Sequence, residues 1–184
     1  MFINSEEALE MVSKDTLVMV VDTNRPSYTE CPELLRKTGK IVVFDHHRRS
    51  SDTITGAVLS YVDPYASSAC EMVTEMIQYV DDGIKLKAFE ADALYAGISI
   101  DTDGFNSKSG PRTFEAAAFL RRHGADVTGV RKMLRNDMNE YKAIASAVSK
   151  SEVYKSAFAI TVFDGEGLES PTIGGAKAAN QLLD

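Results

Sequence analysis

The triplet Asp45-His46-His47 places two of the chain's three histidines beside a carboxylate. Neutral imidazole nitrogens bind divalent cations such as zinc, manganese and iron, and a neighbouring carboxylate can orient an imidazole ring by a hydrogen bond. The triplet directly follows the apolar run at 41–44, which predicts a buried strand. Ligands of α/β proteins bind at this edge of a sheet, so the triplet predicts a metal site there. A polar turn without a metal is the alternative for the two histidines taken alone.

Two further apolar segments also end on acidic residues. The run at 17–21 ends on Asp22, and the run at 96–100 leads into Asp101. Taken singly, each aspartate is typical of a turn closed by its own side chain, because a threonine follows it. Taken with the triplet, they predict three elements whose ends meet on one face of a sheet and supply metal ligands.

The elements that must position these residues follow from the chain order. The strand at 17–21, a short helix from Pro32 to Gly39 and the strand at 41–44 form a βαβ unit, which predicts parallel pairing with a right-handed crossover. Asp22 and the triplet then lie at the same edge. Segment 89–100 is apolar enough for a buried helix or a strand, and its periodicity does not separate the two. Further on, 154–163 predicts a strand and 174–183 a helix.

Composition excludes several classes of protein. The chain has 184 residues and a formal net charge of −7, which argues against a basic groove for duplex nucleic acid. Its two cysteines, Cys31 and Cys70, have neither paired nor metal-type spacing and predict reduced thiols inside a cell. No apolar stretch approaches the roughly 20 residues that span a bilayer, and the start lacks a secretion signal. We therefore expect a cytoplasmic chain.

The ordered motifs resemble those of the DHH phosphoesterase superfamily. Asp22 with its flanking Val-Val and Thr-Asn, the triplet, and Asp101 within Ile-Ser-Ile-Asp-Thr-Asp-Gly-Phe look like its second, third and fourth motifs, and segments 67–71 and 112–117 are also similar. Within the superfamily, the chain most resembles GdpP-type cyclic-di-AMP phosphodiesterases, which join a DHH domain to a DHHA1 domain.

This resemblance implies the domain organisation. It predicts an α/β fold in which a parallel-sheet DHH domain with flanking helices covers 1–125, a helical connector covers 126–150, and a DHHA1 α/β domain begins at 151–184. It also favours a helix that carries Asp101 at its carboxyl end.

The resemblance also implies roles for the site residues. Asp22 would bridge two metal ions, and His46 and Asp101 would complete one of the two sites. Asp45 would orient an imidazole, while His47 would approach the phosphate or the leaving oxygen. Oxygen and imidazole ligands without thiolate favour Mn²⁺ over zinc, with cobalt or magnesium as substitutes.

Two further residues are candidates for substrate binding. Arg112 could neutralise a phosphate through its planar fork, and a solvated surface charge is the alternative. Asn24 could reach substrate or stabilise its own turn.

The chain departs from the family pattern at both ends. Residues 1–21 contain Asp15 but no histidine and no paired aspartates, so the first motif and one metal site are incomplete. The chain also ends before the family's glycine- and histidine-rich substrate loop. We therefore expect a piece of a longer enzyme. GdpP-type proteins carry upstream membrane-anchoring segments, and a parent protein with or without such an anchor is consistent with the sequence.

Three functions are consistent with this sequence. The first is a manganese-dependent phosphodiesterase that hydrolyses cyclic-di-AMP to the linear dinucleotide with water activated by two metals. The second is another DHH enzyme that acts on short oligoribonucleotides, phosphoadenosine phosphate or DNA ends. The third is a catalytically incompetent piece that binds metal or nucleotide or serves in oligomerisation. The expected partner is a cyclic dinucleotide or a short oligonucleotide, and a homodimer is a candidate assembly.

Overall fold

A computed structural model of the protein describes residues 2–80, 85–135 and 137–183. The chain divides into two compact units, Met1–Lys132 and Met133–Asp184. Among the described residues, no helix combines the length and apolar character needed to cross a lipid bilayer.

A three-stranded parallel sheet forms the centre of the first unit. Its strands are β1 (Val18–Val21), β2 (Ile41–Asp45) and β3 (Leu59–Val62), in the spatial order β1-β2-β3. The middle strand is largely buried, which explains why its sequence is continuously apolar instead of alternating. This sheet, with helices around it, confirms the predicted α/β fold.

Short helices connect to the strands. Helix α1 (Ser5–Met11) begins at an Asn4 cap, whose side chain accepts a hydrogen bond from the backbone N–H of Glu7 at 2.9 Å. A 3₁₀ turn at Pro26–Tyr28 and helix α2 (Leu34–Lys37) lie between β1 and β2. This is the predicted βαβ unit, and its register pairs Val21 with Phe44, so that both strands end at one edge.

Three longer helices complete the first unit's core, and a short helix follows them. They are α3 (Ala69–Val80), α4 (Ala88–Asp101), α5 (Pro111–Arg122) and the short α6 (Val127–Met133). Met72, Ile98 and Leu120, one from each of the three longer helices, are fully buried. Segment 89–100 is therefore a helix with Asp101 as its last residue, as the family resemblance predicted.

The second unit contains α7 (Met138–Ser149), β4 (Glu152–Tyr154), β5 (Phe158–Ile160) and α8 (Pro171–Gln181). Ile144 and Ala147 of α7 pack with Ala178 of α8 in a small core. The single strand predicted at 154–163 is wrong: β4 and β5 form an antiparallel hairpin whose turn contains two residues with positive φ, Lys155 and Ser156. The domain boundaries at 125/126 and 150/151 stay predictions.

Candidate metal centre

The carboxyl ends of β1 and β2 bring the predicted ligands to one place. The backbone N–H of Asp22 donates to the carbonyl of Phe44 at 2.9 Å, which aligns the residue after β1 with the end of β2. Asp22 itself has a left-handed backbone, with φ of 66°. That conformation is uncommon for a residue with a Cβ, and it marks the point at which the chain leaves the sheet.

An imidazole nitrogen lies between two carboxylates. The Nε2 atom of His46 is 3.3 Å from Oδ1 of Asp22 and 3.7 Å from Oδ2 of Asp101. Asp22 directly follows β1, His46 directly follows β2, and Asp101 is the last residue of α4, so the three predicted ends meet here. The structure thus brings together the three residues predicted as metal ligands.

The other histidine of the triplet joins the same cluster. One ligand atom each from Asp22, His46 and His47 lies within 4.8 Å of the others. The ring centroids of the two histidines are 4.4 Å apart. The cluster therefore offers more imidazole to a cation than the predicted set of Asp22, His46 and Asp101.

Asp45 is a buried residue next to this cluster and contacts both His47 and Asn24. Its carboxylate is fully buried and accepts hydrogen bonds from the backbone N–H of His47 at 3.1 Å and from the Asn24 side-chain amide. Its Oδ1 also lies 2.7 Å from Nδ1 of His47. Because a carboxylate only accepts, neutral His47 donates from Nδ1 and keeps a lone pair on Nε2. The imidazole that Asp45 orients is thus that of His47.

Asn24 lies within this arrangement as a support. Its side chain is 2% exposed and its amide also donates to the carbonyl of His47 at 3.3 Å. Its Oδ1 atom is buried and has no hydrogen-bond partner among the described residues. Of the two predicted alternatives for Asn24, the contacts correspond to stabilising the turn, and its contact with substrate stays a prediction.

The electrostatics of the cluster suit a cation. Burial raises the pKa of Asp101, and the Asp22 carboxylate adds to this rise while His46 opposes it. Two carboxylates that disfavour each other's charge, with an imidazole nitrogen between them, are stabilised by a positive ion in their midst. The donor set of carboxylate oxygens and imidazole nitrogens fits Mn²⁺, Zn²⁺ or Fe²⁺, and no thiolate takes part.

Two cavities adjoin the cluster. The smaller, of about 180 Å³, is lined by Asp22, Thr23, Asn24, Arg25, Tyr28, Asp45 and His47. The larger, of about 460 Å³, is lined mainly by apolar side chains of β1, α3 and α4, with Asp22 and Asp101 at the cluster. Cys70 lies in the larger cavity, where burial first and then the charges of Asp101 and Asp22 raise the pKa of its thiol to about 11. We therefore expect the Cys70 thiol to be a poor nucleophile at neutral pH.

Arg112 has protein partners for most of its donors. Its Nε and Nη2 atoms bind the two carboxylate oxygens of Glu75 at 2.7 and 2.6 Å, and its Nη1 binds Asp63 at 2.7 Å. Nη2 also donates to the hydroxyl of Tyr61 at 3.2 Å. These contacts raise the pKa of Arg112 and lower that of Asp63. Arg112 thus joins α5 to α3 and to the end of β3, and its binding of substrate stays a prediction.

A buried acid next to this arginine escaped the sequence analysis. Glu71 is 1% exposed, and its Oε2 accepts hydrogen bonds from the hydroxyls of Ser67 and Thr113, each at 2.6 Å. From the sequence alone, Glu71 is predicted only as an acidic residue in the first turn of a helix. The sequence did contain one indication of this contact, because the two segments at 67–71 and 112–117 each carry hydroxyl residues. In the structure, Glu71 joins these two segments by hydrogen bonds.

Comparisons with known proteins agree with this geometry. Residues 2–98 match the DHH family, N-terminal domain. The chain is 43% identical over 181 residues to the cyclic-di-AMP phosphodiesterase GdpP of Geobacillus thermodenitrificans, which covers 98% of this chain and 27% of that protein. It is 30% identical over 148 residues to the bifunctional oligoribonuclease and PAP phosphatase NrnA of Mycoplasma genitalium, which covers 79% of this chain and 44% of that protein.

A solved structure supports the fold. The crystal structure of an exopolyphosphatase-related protein from Bacteroides fragilis superposes with a TM-score of 0.70 at 21% identity, over 82% of this chain and 45% of that one. The chain thus spans about a quarter of the first relative's length and under half of the second's. The family match covers more than half of the chain and includes Asp22 and the whole triplet, and the chain therefore belongs to the DHH family.

Proposed function

We propose that this chain contributes the metal centre of a manganese-dependent phosphodiesterase that hydrolyses cyclic-di-AMP to the linear dinucleotide. The main support for the proposal is that the carboxylates of Asp22 and Asp101 both lie close to the Nε2 atom of His46, with His47 beside them. The 43% identity to a cyclic-di-AMP phosphodiesterase supports the choice of substrate.

The residues of the cluster and its surroundings have separate roles in the proposed reaction. Asp22, His46 and Asp101 would hold the cation, which when bound lowers the pKa of water and neutralises charge on the phosphoryl oxygens. Asp45 holds His47 in the tautomer that carries its proton on Nδ1, so that the lone pair on Nε2 is available to a cation. Asn24 in turn holds the Asp45 carboxylate in place. Rigid support of this kind reduces the reorganisation needed when substrate binds.

Manganese is the proposed ion because the ligands are carboxylates and imidazoles. Such a mixed oxygen and nitrogen set without a thiolate suits Mn²⁺. The nearby Cys70 is not a member of the group of side chains that could hold a metal ion.

A second function is favoured by a specific relative. The identity of 30% to an oligoribonuclease and PAP phosphatase indicates that short oligoribonucleotides or phosphoadenosine phosphate could occupy the same centre. Both functions use the same hydrolysis of a phosphoester, and they differ only in the substrate that the site admits.

The test compares three substrates with two purified proteins, this chain and a version extended at both ends. Cyclic-di-AMP, a trinucleotide of RNA and phosphoadenosine phosphate would each be incubated with Mn²⁺, with Mg²⁺ and with a chelator, and the products separated by chromatography. We expect the extended version to convert cyclic-di-AMP to the linear dinucleotide fastest with Mn²⁺, more slowly with Mg²⁺ and not with the chelator. The Asp22→Asn variant should lose this conversion, whereas Asp103→Asn, which changes an exposed acid outside the cluster, should retain it. Preferential cleavage of the trinucleotide would overturn the substrate assignment.

A further inference from the structure

Arg25 lies in the smaller cavity together with the metal cluster. It shares that cavity with Asp22 and His47, and it is the one basic side chain among the lining residues. It directly follows the turn at the end of β1, so the same element that positions the candidate ligand Asp22 also positions this cation.

The guanidinium of Arg25 has no carboxylate partner among the described residues. Its carbon lies 5.1 Å from the ring centroid of Tyr28, and its Nη1 is 3.4 Å from the Tyr28 hydroxyl, which is a weak contact. No ion pair joins it to any described acid. Tyr28 therefore contacts the flat guanidinium without neutralising its charge.

The acids of the cavity are already occupied. Asp45 is bound by Asn24 and His47, and Asp22 lies beside His46. Arg25 shares its cavity with Asp22 and Asp45 but forms an ion pair with neither of them. Its positive charge can therefore bind an anion that enters the cavity from solvent. With a metal ion held by Asp22 and His46, an anion between that ion and Arg25 would contact positive charge on two sides.

The size of the cavity limits what it admits. At about 180 Å³ it is smaller than the roughly 300–1,000 Å³ cavities that enclose drug-sized ligands. It therefore suits one phosphodiester group and not the bases and sugars of a whole dinucleotide.

Among the described residues, no other arginine or lysine lines this cavity. Arg112 is bound by two carboxylates and a tyrosine hydroxyl. Arg48 and Arg49 follow the triplet but are exposed and do not line either cavity described above. We propose that Arg25, next to Tyr28, binds the substrate phosphate in the cavity beside the metal centre. This inference rests on the proposed phosphodiesterase function and deepens it.

The test compares Arg25→Gln with a matched control, Arg36→Gln. Arg36 is an exposed arginine of α2 that lines neither cavity, so both variants lose one positive charge. Affinity for the linear dinucleotide would be measured by calorimetry with Mn²⁺ present, and turnover of cyclic-di-AMP by chromatography. We expect Arg25→Gln to weaken binding about tenfold or more, because a hydrogen-bonded charge pair is lost, whereas Arg36→Gln should match the wild type. Thermal unfolding would confirm that both variants are folded.

A second variant separates charge from shape. Arg25→Lys keeps the charge but lacks the planar fork, so we expect an affinity between those of the wild type and Arg25→Gln. Equal affinities in the wild type, Arg25→Gln and Arg36→Gln would overturn the inference while leaving the phosphodiesterase proposal intact. A wild-type version extended at both ends that neither binds the dinucleotide nor cleaves any phosphoester would instead overturn the proposed function, and the inference with it.

Discussion

Replacing Arg112 by glutamine should destabilise the first unit, because Arg112 joins three of its elements. The substitution removes three hydrogen bonds between charged groups, two to Glu75 and one to Asp63. Each such bond contributes about 1.5–3 kcal/mol when it is well shielded from water. The Arg112 side chain is 39% exposed and the two acids 22% and 19%, so water would partly replace the lost partner. We therefore expect a loss of about 2–4 kcal/mol in the free energy of unfolding.

The effect should depend on pH in a defined direction. Arg112 lowers the pKa of Asp63 below its ordinary value of 3.8. The stabilisation from this pair is therefore complete above pH 3.8 and is lost as the pH falls through the lower pKa of the folded state. The difference in stability between wild type and Arg112→Gln should accordingly be largest near neutral pH and should shrink below pH 3.8.

Urea unfolding followed by circular dichroism at several pH values measures this difference. Arg122→Gln is the matched control, since it removes an exposed arginine from the same helix. A difference below about 0.5 kcal/mol at neutral pH, similar to that of an ordinary surface substitution, would refute the reasoning. If Arg112→Gln left stability unchanged but weakened dinucleotide binding, the predicted role of Arg112 in substrate binding would be favoured instead.

Three other predictions concern the metal centre and the packing of α3 on α4. His46→Ala should weaken Mn²⁺ affinity by at least about tenfold in calorimetry, whereas Asp103→Asn should not, and an equal loss in both would argue against the cluster. Gly97→Ala should cost about 1–3 kcal/mol, because the added Cβ would lie 2.3 Å from the sulfur of Cys70, and a Cys70→Ala background should reverse this loss. The Cys70 thiol, with a pKa of about 11, should react with iodoacetamide at pH 8 far more slowly than Cys31, and equal rates would contradict its burial.

The sequence predicted which residues lie close together because strand ends are local features. Asp22 and the triplet each follow a short apolar run, and parallel pairing through one helix brings such ends to the same edge. The helix that ends at Asp101 required the family resemblance. Its buried residues, such as Tyr95 and Ile98, belong to an element that is apolar on several sides, so the sequence has no clear helical periodicity.

Contacts between distant residues were not predictable in the same way. The partners of Arg112 lie 37 to 51 residues away in the chain, and nothing in the local sequence pairs them. The hairpin turn at Lys155 and Ser156 was missed for a different reason. Residues with positive φ in turns are usually glycine or asparagine, and neither occurs there.

The left-handed backbone at Asp22 has a consequence for how this protein can evolve. Glycine adopts a φ of 66° without steric cost, whereas a residue with a Cβ pays about 1 kcal/mol for it. A mutation to glycine would therefore be favoured wherever heat resistance alone is selected, although it deletes the carboxylate beside His46. Lineages or laboratory libraries screened only for survival at high temperature should accumulate this change, while those screened for catalysis should exclude it. The residue at position 22 should therefore differ between proteins that have been under these two kinds of selection.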